Sequence, residues 1–324
     1  MTSQLSTERP LRLKTAAGAT RRRGLSLRAR EEIAGWLWTS PWLIGFVLFV
    51  LGPMLISLYL SLTNYAIGGK PQFVGLDNFT RALSGRDDLF WPSIGRTVEY
   101  AFVMVPIGIT LSLLAATLLN QGLKGTSVFR TLFFLPSLTP VVASAVIWRW
   151  LYQPDFGAIN WLLWELGVDE GPRWLTNPES ALPSLMLIGL WGSVGGGAMV
   201  IFLAGLQGVP RELHDAASMD GANAWQRFRN ITLPMISPTI FFNLVIGIIA
   251  ALKVFAVAVL ATQGGPNYAT WFFNLHLYNH AFQFFEMGYA SALAWIFFFL
   301  VVALTYLNVR WSRNWVHYEG EVRT

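Results

Sequence analysis

The sequence contains no cysteine, which removes disulfides, thiolate nucleophiles and cysteine-ligated metal centres from consideration. Charge is scarce: only 13% of the 324 residues are Asp, Glu, Lys or Arg. A phosphate-cradling loop ending in Gly-Lys-Ser/Thr is missing as well, because the one Gly-Lys pair, Gly69-Lys70, runs into Pro71. The chain therefore does not hydrolyse ATP by that route. Carboxylates are rare inside the long apolar runs, with Glu99 near the outer end of one and Glu286 at the mouth of another. Ion-coupled carriers place such groups at membrane depth, so coupling to protons or sodium is poorly supported.

What the chain has in quantity is apolar surface, at 54% hydrophobic residues and a mean hydropathy of +0.46. That composition describes an all-α polytopic membrane protein. A bilayer core takes about 20 apolar residues per helix. Six stretches qualify: Trp36–Leu62, Ser93–Leu119, Phe129–Leu151, Leu182–Leu206, Met235–Ala261 and Met287–Val309. The expected organisation is a basic cytoplasmic tail over 1–35, a first span with its external segment over 36–92, a five-span core over 93–309, and a cytoplasmic tail over 310–324. The first apolar stretch exceeds the ~7–15 residues of a signal-peptide core and reads as an uncleaved span.

A net charge of +5 invites thoughts of nucleic acid, but the positions of the basic residues exclude that partner. Arg9, Arg12, Lys14, Arg21, Arg22, Arg23, Arg28 and Arg30 all precede the first span, as an orientation signal and a contact for anionic lipid. With that tail inside, Lys124, Arg130, Arg211, Arg227, Arg229, Arg310, Arg313 and Arg323 are inside too. Lys70, Arg81, Arg86, Arg96 and Arg173 are outside. Both termini are therefore expected in the cytoplasm, and so is the polar interval between the fourth and fifth spans.

That interval, 209–234, has the signatures of ordered structure. Pro210 suits a first helical turn, and Leu213, Ala216 and Ala217 fall at i, i+3, i+4 on one helix face. Gly221 follows as a left-handed stop. Asn223 with Gln226 three residues on predicts a capping box for a second short helix.

Asp215-Ala216-Ala217, Asp220-Gly221-Ala222, Ile231 and Leu233-Pro234 resemble the EAA loop of ABC-importer permeases, with Asp215 where Glu is usual. Gly75-Leu76-Asp77-Asn78-Phe79 resembles the GLxNF stretch of maltose and glycerol-phosphate type permeases. Gln263-Gly264-Gly265-Pro266 and Gly288-Tyr289-Ala290-Ser291-Ala292 resemble the end of carbohydrate permeases. The resemblance implies a type I ABC-importer permease fold with six transmembrane helices, in a bacterial or archaeal plasma membrane. It implies a carbohydrate cargo, a homologous second permease, two ATPase subunits and an extracytoplasmic solute-binding protein. It also implies no cofactor in this chain, ATP and Mg belonging to the ATPases. Glu212, Leu213, Asp215, Ala216, Ala217, Asp220, Gly221 and Ala222 are then the residues expected to couple to the ATPase. The same architecture also serves glycerol-phosphate or a polyol, and an ion-coupled secondary carrier is the rival from another class.

For a substrate pathway, aromatic faces and hydrogen-bonding groups at mid-depth point to Trp191, Ser193, Gly197, Asn243, Gly247, Ala251 and Lys253. Close helix packing competes as the reason for Gly195-Gly196-Gly197, an interhelical hydrogen bond for Asn243, and snorkelling for Lys253 and Arg149. Helix Gly157–Leu163 and its neighbouring tryptophans form an interfacial belt, to which the resemblance adds contact with the binding protein. His276 and His280, four apart, can share a helical face, but no metal site is expected there.

Overall fold

A computed structural model describes residues 26–122 and 124–316. Arg9 to Arg23 of the basic tail, with His317 and Arg323, lie outside the described residues. The chain divides into two compact units, 1–55 and 56–324. The first holds most of helix α1, Leu27–Ser61, which starts nine residues before the expected Trp36 on a Ser26 cap whose Oγ accepts from the Ala29 N–H. From Leu27 to Leu51 none of its residues is buried, as expected of a helix whose solvent is lipid.

The second unit begins where the chain leaves α1. A two-residue ladder pairs β1, Thr63–Asn64, with β2, Gln72–Phe73. Helix α2, Asp77–Leu83, follows. Here the GLxNF stretch has a structural reason: buried Asn78 donates through Nδ2 to the Ser61 and Thr63 carbonyls, both at 2.9 Å. Ser61 ends α1 and Thr63 opens β1, and the amide supplies both carbonyls with a partner where the chain leaves the helix.

Helix α3, Phe90–Leu119, is the central strut. Two expected spans are each bent pairs. Helices α4, Thr126–Leu138, and α5, Val141–Leu151, meet at 95°. The break falls where Thr139 precedes Pro140, whose ring pushes it out of helical conformation, and its ψ is 124°. After helix α6, Ala158–Glu165, the fourth span is α7, Pro178–Ser193, and α8, Gly197–Gln207, bent by 47°. A Cβ on Gly195 would land on the Phe133 carbonyl, so only glycine lets the two bent spans touch.

Helix α9, Arg211–Met219, and the single turn α10, Ala224–Arg227, make the polar interval. The fifth span is α11, Ser237–Leu252, and α12, Ala256–Ala261, interrupted at Lys253–Phe255 where the sequence predicted a continuous helix. Asn274 Nδ2 takes the freed Leu252 carbonyl at 3.3 Å, and Phe255 packs on Tyr278. Helix α13, Phe273–Tyr278, leads to the last span α14, Met287–Ser312. A Cβ on Gly288 would strike the Thr63 carbonyl, which accounts for the glycine of the GYASA stretch. Helices α3, α7, α11 and the 269–275 segment share one core around Tyr100, Leu185, Leu252 and Phe272.

Candidate functional site

Three polar regions break the apolar surface. The hairpin α9–α10 is built by local rules. Gly221 has φ of +79°; its N–H donates to the Ser218 carbonyl at 3.1 Å and the Ala222 N–H to the Ala217 carbonyl at 2.9 Å. This pair of bonds ends α9 by supplying its orphan carbonyls. The expected capping box is present, with the Asn223 N–H donating to Gln226 Oε1 at 2.8 Å and the Gln226 N–H to Asn223 Oδ1 at 2.9 Å. The Arg227 guanidinium donates to Ser218 Oγ and ties the two helices together. Though well ordered by these bonds, α9 buries nothing. Glu212, Leu213, Asp215, Ala216, Asp220 and Gly221 are exposed, Ala217 and Ala222 half-buried, and Met219 and Trp225 stand 89% and 65% open.

The second region is a cavity of about 490 Å³ between α3, the α7–α8 bend and α11. It gathers Ser193, Gly197, Asn243, Gly247 and Ala251 from the expected pathway, with Tyr100, Ser112 and Ser137 added. The glycine triplet splits: Gly195 and Gly196 serve close packing, whereas nothing lies within 4 Å of a Cβ on Gly197. Trp191 departs from expectation. It lines a different, apolar cavity of about 830 Å³ and packs on Trp148 at 5.8 Å. Two residues at 100° each turn Trp191 and Ser193 to opposite sides of α7. Asn243 departs as well: its Nδ2 donates to the Thr239 carbonyl of its own helix at 2.9 Å instead of crossing to a neighbour. Lys253 is exposed at the α11–α12 break. Arg149 reaches the Leu260 carbonyl at 3.5 Å. On α6, Trp161 and Trp164 are exposed, while Trp174 donates to buried Asn160 Oδ1 at 2.6 Å and stacks on Tyr152.

The third region was not foreseen. Asp87, between α2 and α3, sits under His276, His280 and Tyr289 with 8% of its side chain exposed. His276 Nε2 approaches Asp87 Oδ2 at 2.9 Å, and the Tyr289 hydroxyl donates to the same oxygen at 2.6 Å. His280 bridges Asp87 at 3.6 Å and Glu286 at 2.8 Å. Arg81 closes the group, 3.1 Å from Glu286 and over the Tyr289 ring. Burial pushes the Asp87 carboxyl up, but hydrogen bonds from His276, His280 and Tyr289 more than reverse this and hold it well below the usual carboxylate range. Burial likewise pushes the Glu286 carboxyl up, and the hydrogen bonds and positive charge that Arg81 and His280 bring outweigh it and hold the group below its ordinary value.

One ligand atom each from Asp87, His276 and His280 lie within 4.8 Å of one another, close enough for a metal. The hydrogen bonds argue otherwise. Trp271 Nε1–H donates to His276 Nδ1 at 3.1 Å, which leaves the imidazole proton on Nε2, facing Asp87. A metal-binding histidine needs the reverse arrangement, a bare nitrogen toward the metal and a donor on the far side. The cluster is a hydrogen-bonded clasp joining residues 81–87 to 276–289.

Comparison with known proteins places this architecture. Residues 108–316 match the family described as binding-protein-dependent transport system inner membrane component. The probable ABC transporter permease protein YesP of Bacillus subtilis (strain 168) is 42% identical over 295 residues, covering 90% of this chain and 94% of the relative. The trehalose/maltose transport system permease protein MalF of Thermococcus litoralis is 35% identical, covering 89% and 96%. A crystal structure of a bacterial ABC transporter involved in import of the acidic polysaccharide alginate shares the fold, with a TM-score of 0.77 at 24% identity over 89% of this chain and 99% of that one. A six-span helical pattern, two of its spans bent, and a family match across most of the chain lead to one assignment: this integral membrane protein belongs to the binding-protein-dependent transport system inner membrane component family of ABC-transporter permeases.

Proposed function

We propose that this chain is the non-catalytic permease subunit of an ATP-driven importer of carbohydrate. It forms the translocation pathway with a homologous second permease, and two ATPase subunits drive it from the cytoplasm. An extracytoplasmic solute-binding protein delivers the cargo. Relatives named for trehalose/maltose, lactose and arabinooligosaccharides support a carbohydrate.

The observation that carries the mechanical part is the α9–α10 hairpin. A helix closed at its C-terminal end by the Gly221 stop and joined to a boxed second turn, yet burying none of its residues, holds its geometry without core packing and offers its face to something else. Large side chains standing open, Met219 and Trp225 among them, fit a protein cleft better than water. In this reading Glu212, Leu213, Asp215, Ala216, Ala217, Asp220, Gly221 and Ala222 meet the ATPase. Its closure on ATP moves the hairpin as a rigid body, and α8 and α11, which the hairpin joins, carry the motion to the 490 Å³ cavity. Ser193, Gly197, Asn243, Gly247 and Ala251 line the half-pathway there. Net transport requires cargo to bind the outward and inward states with different affinity.

The missing cysteines make the test clean. A single Ala217→Cys or Met219→Cys, in a complex whose ATPase carries one cysteine in its cleft, should cross-link in a nucleotide-dependent way. Cross-linking elsewhere on the chain, or labelling of these cysteines from outside intact cells, would overturn the reading.

A further inference from the structure

The 490 Å³ cavity holds polar groups that the chain itself leaves unanswered. Tyr100 and Ser112 on α3 and Asn243 on α11 all line it, and none is more than 5% exposed. Among the described residues neither the Tyr100 nor the Ser112 hydroxyl has a hydrogen-bond partner, and Asn243 engages only through Nδ2. The described side-chain atoms that are sealed from solvent without a partner are Asn308 Oδ1 and Trp315 Nε1. The Tyr100 and Ser112 hydroxyls and Asn243 Oδ1 are therefore open, and what they open on is the cavity. The other hydroxyls on this wall are engaged: Ser137 donates to the Phe134 carbonyl at 2.7 Å and Ser193 to the Leu190 carbonyl at 3.3 Å.

The helix places these groups and the packing holds them. Tyr100, Met104, Gly108 and Ser112 follow one another at steps of four, a slowly turning stripe of α3 on the cavity. At ~1.5 Å per residue the two hydroxyl-bearing residues stand about 18 Å apart along the axis. The Tyr100 ring is fixed against Phe272 at 5.2 Å. Gly189 on α7 keeps room for its hydroxyl, since a Cβ there would come within 2.5 Å of it. A buried polar group without a partner destabilises the chain that carries it, so the arrangement calls for a partner from outside the chain. The donor count says which chemistry fits. The two hydroxyls both donate and accept, whereas Asn243, its Nδ2 committed, offers Oδ1 as an acceptor alone. Sugar hydroxyls answer all three. A carboxylate or phosphate brings no proton for Asn243, and no Asp, Glu, Lys, Arg or His lines the cavity to meet its charge.

We propose that Tyr100, Ser112 and Asn243 are the specificity-determining residues of this half of the pathway, hydrogen-bonding the hydroxyls of an uncharged sugar. The proposal rests on the carbohydrate-permease reading above. The full complex with its binding protein is reconstituted in vesicles, and uptake of maltose, trehalose, lactose and arabinotriose is set beside uptake of glycerol phosphate and digalacturonate. The wild type should carry a neutral sugar and neither anion. Tyr100→Phe and Ser112→Ala, which delete one hydroxyl each, should lower the sugar carried per ATP hydrolysed roughly tenfold, the loss of about one hydrogen bond. The melting temperature of both variant complexes in detergent should hold. Thr117→Val sets the baseline and should leave uptake unchanged, because that hydroxyl of α3 already bonds the Leu113 carbonyl and lies off the cavity. Uptake by either single variant within about twofold of wild type overturns the proposal and leaves the permease reading standing. So does a fall in uptake that comes with a lower melting temperature or with dissociation, which makes the hydroxyls partners of protein groups in the assembly. A wild type that carries glycerol phosphate or digalacturonate does the same. A wild type that carries none of these cargoes overturns both.

Discussion

The clasp around Asp87 and the hairpin α9–α10 are both polar interruptions of an apolar chain, and they are built in opposite ways. The clasp is buried and answers itself: each of Asp87, His276, His280, Glu286 and Arg81 has a partner within the group. The hairpin closes its turn with backbone bonds at Gly221 and a capping box at Asn223, and leaves most of its side chains open. The first therefore contributes to the stability of this chain, and the second, in the function proposed above, to an assembly. Substitutions should separate them, with large stability losses and general failure at the clasp, and small stability losses with specific uncoupling at the hairpin.

The largest effect is expected from Asp87→Ala. It strands two buried histidines and the Tyr289 hydroxyl, and each buried group left without its hydrogen-bond partner costs about 1–3 kcal/mol. Thermal unfolding in detergent should show it; a melting temperature within a degree of wild type would remove the clasp from the account. Next is Gly195→Val, at which the Phe133 backbone has to move. Overpacking of this kind costs about 1–3 kcal/mol, and transport should fall in step with stability.

Gly221→Val is intermediate. Nothing stands near a Cβ there, so the cost comes from the left-handed backbone alone, about 1–2 kcal/mol. ATPase activity and uptake should come apart in reconstituted vesicles while the complex still assembles. Leu213→Ser, on an exposed face, should shift stability by less than about 0.5 kcal/mol. It should nevertheless lower uptake per ATP hydrolysed, and unchanged coupling would end the hairpin's assigned role.

Acid distinguishes the regions once more. Asp87 and Glu286 are held below the usual carboxylate values near 4, so their stabilisation is complete at neutral pH. It persists down to about pH 4 and is lost only as pH falls through the lowered values. Asp87→Asn should flatten the acid limb of the unfolding curve, and hairpin substitutions should leave that limb unchanged.

Much of the hairpin was legible because its rules are local. The stop at Gly221, the box at Asn223 and Gln226, and the face of Leu213, Ala216 and Ala217 all involve residues within five positions of one another. The bend at Thr139-Pro140 was equally local, yet a continuous apolar run over Phe129–Leu151 hid it. Trp191 and Ser193 were assigned to one pathway from residue type, and helical rotation divides them between two cavities. The clasp had no local signal: Asp87 meets His276 across 189 residues and Tyr289 across 202.

The amino-acid sequence alone determined that this chain crosses a bilayer about six times, which way round it is expected to lie, and where its capped hairpin begins and ends. Hydropathy, charge placement and capping act over a few turns of chain, so they need no neighbours to be read. Only the tertiary structure decided which polar groups answer one another and which glycines serve contact. Those outcomes depend on which helix faces meet, and packing settles that between segments far apart in sequence.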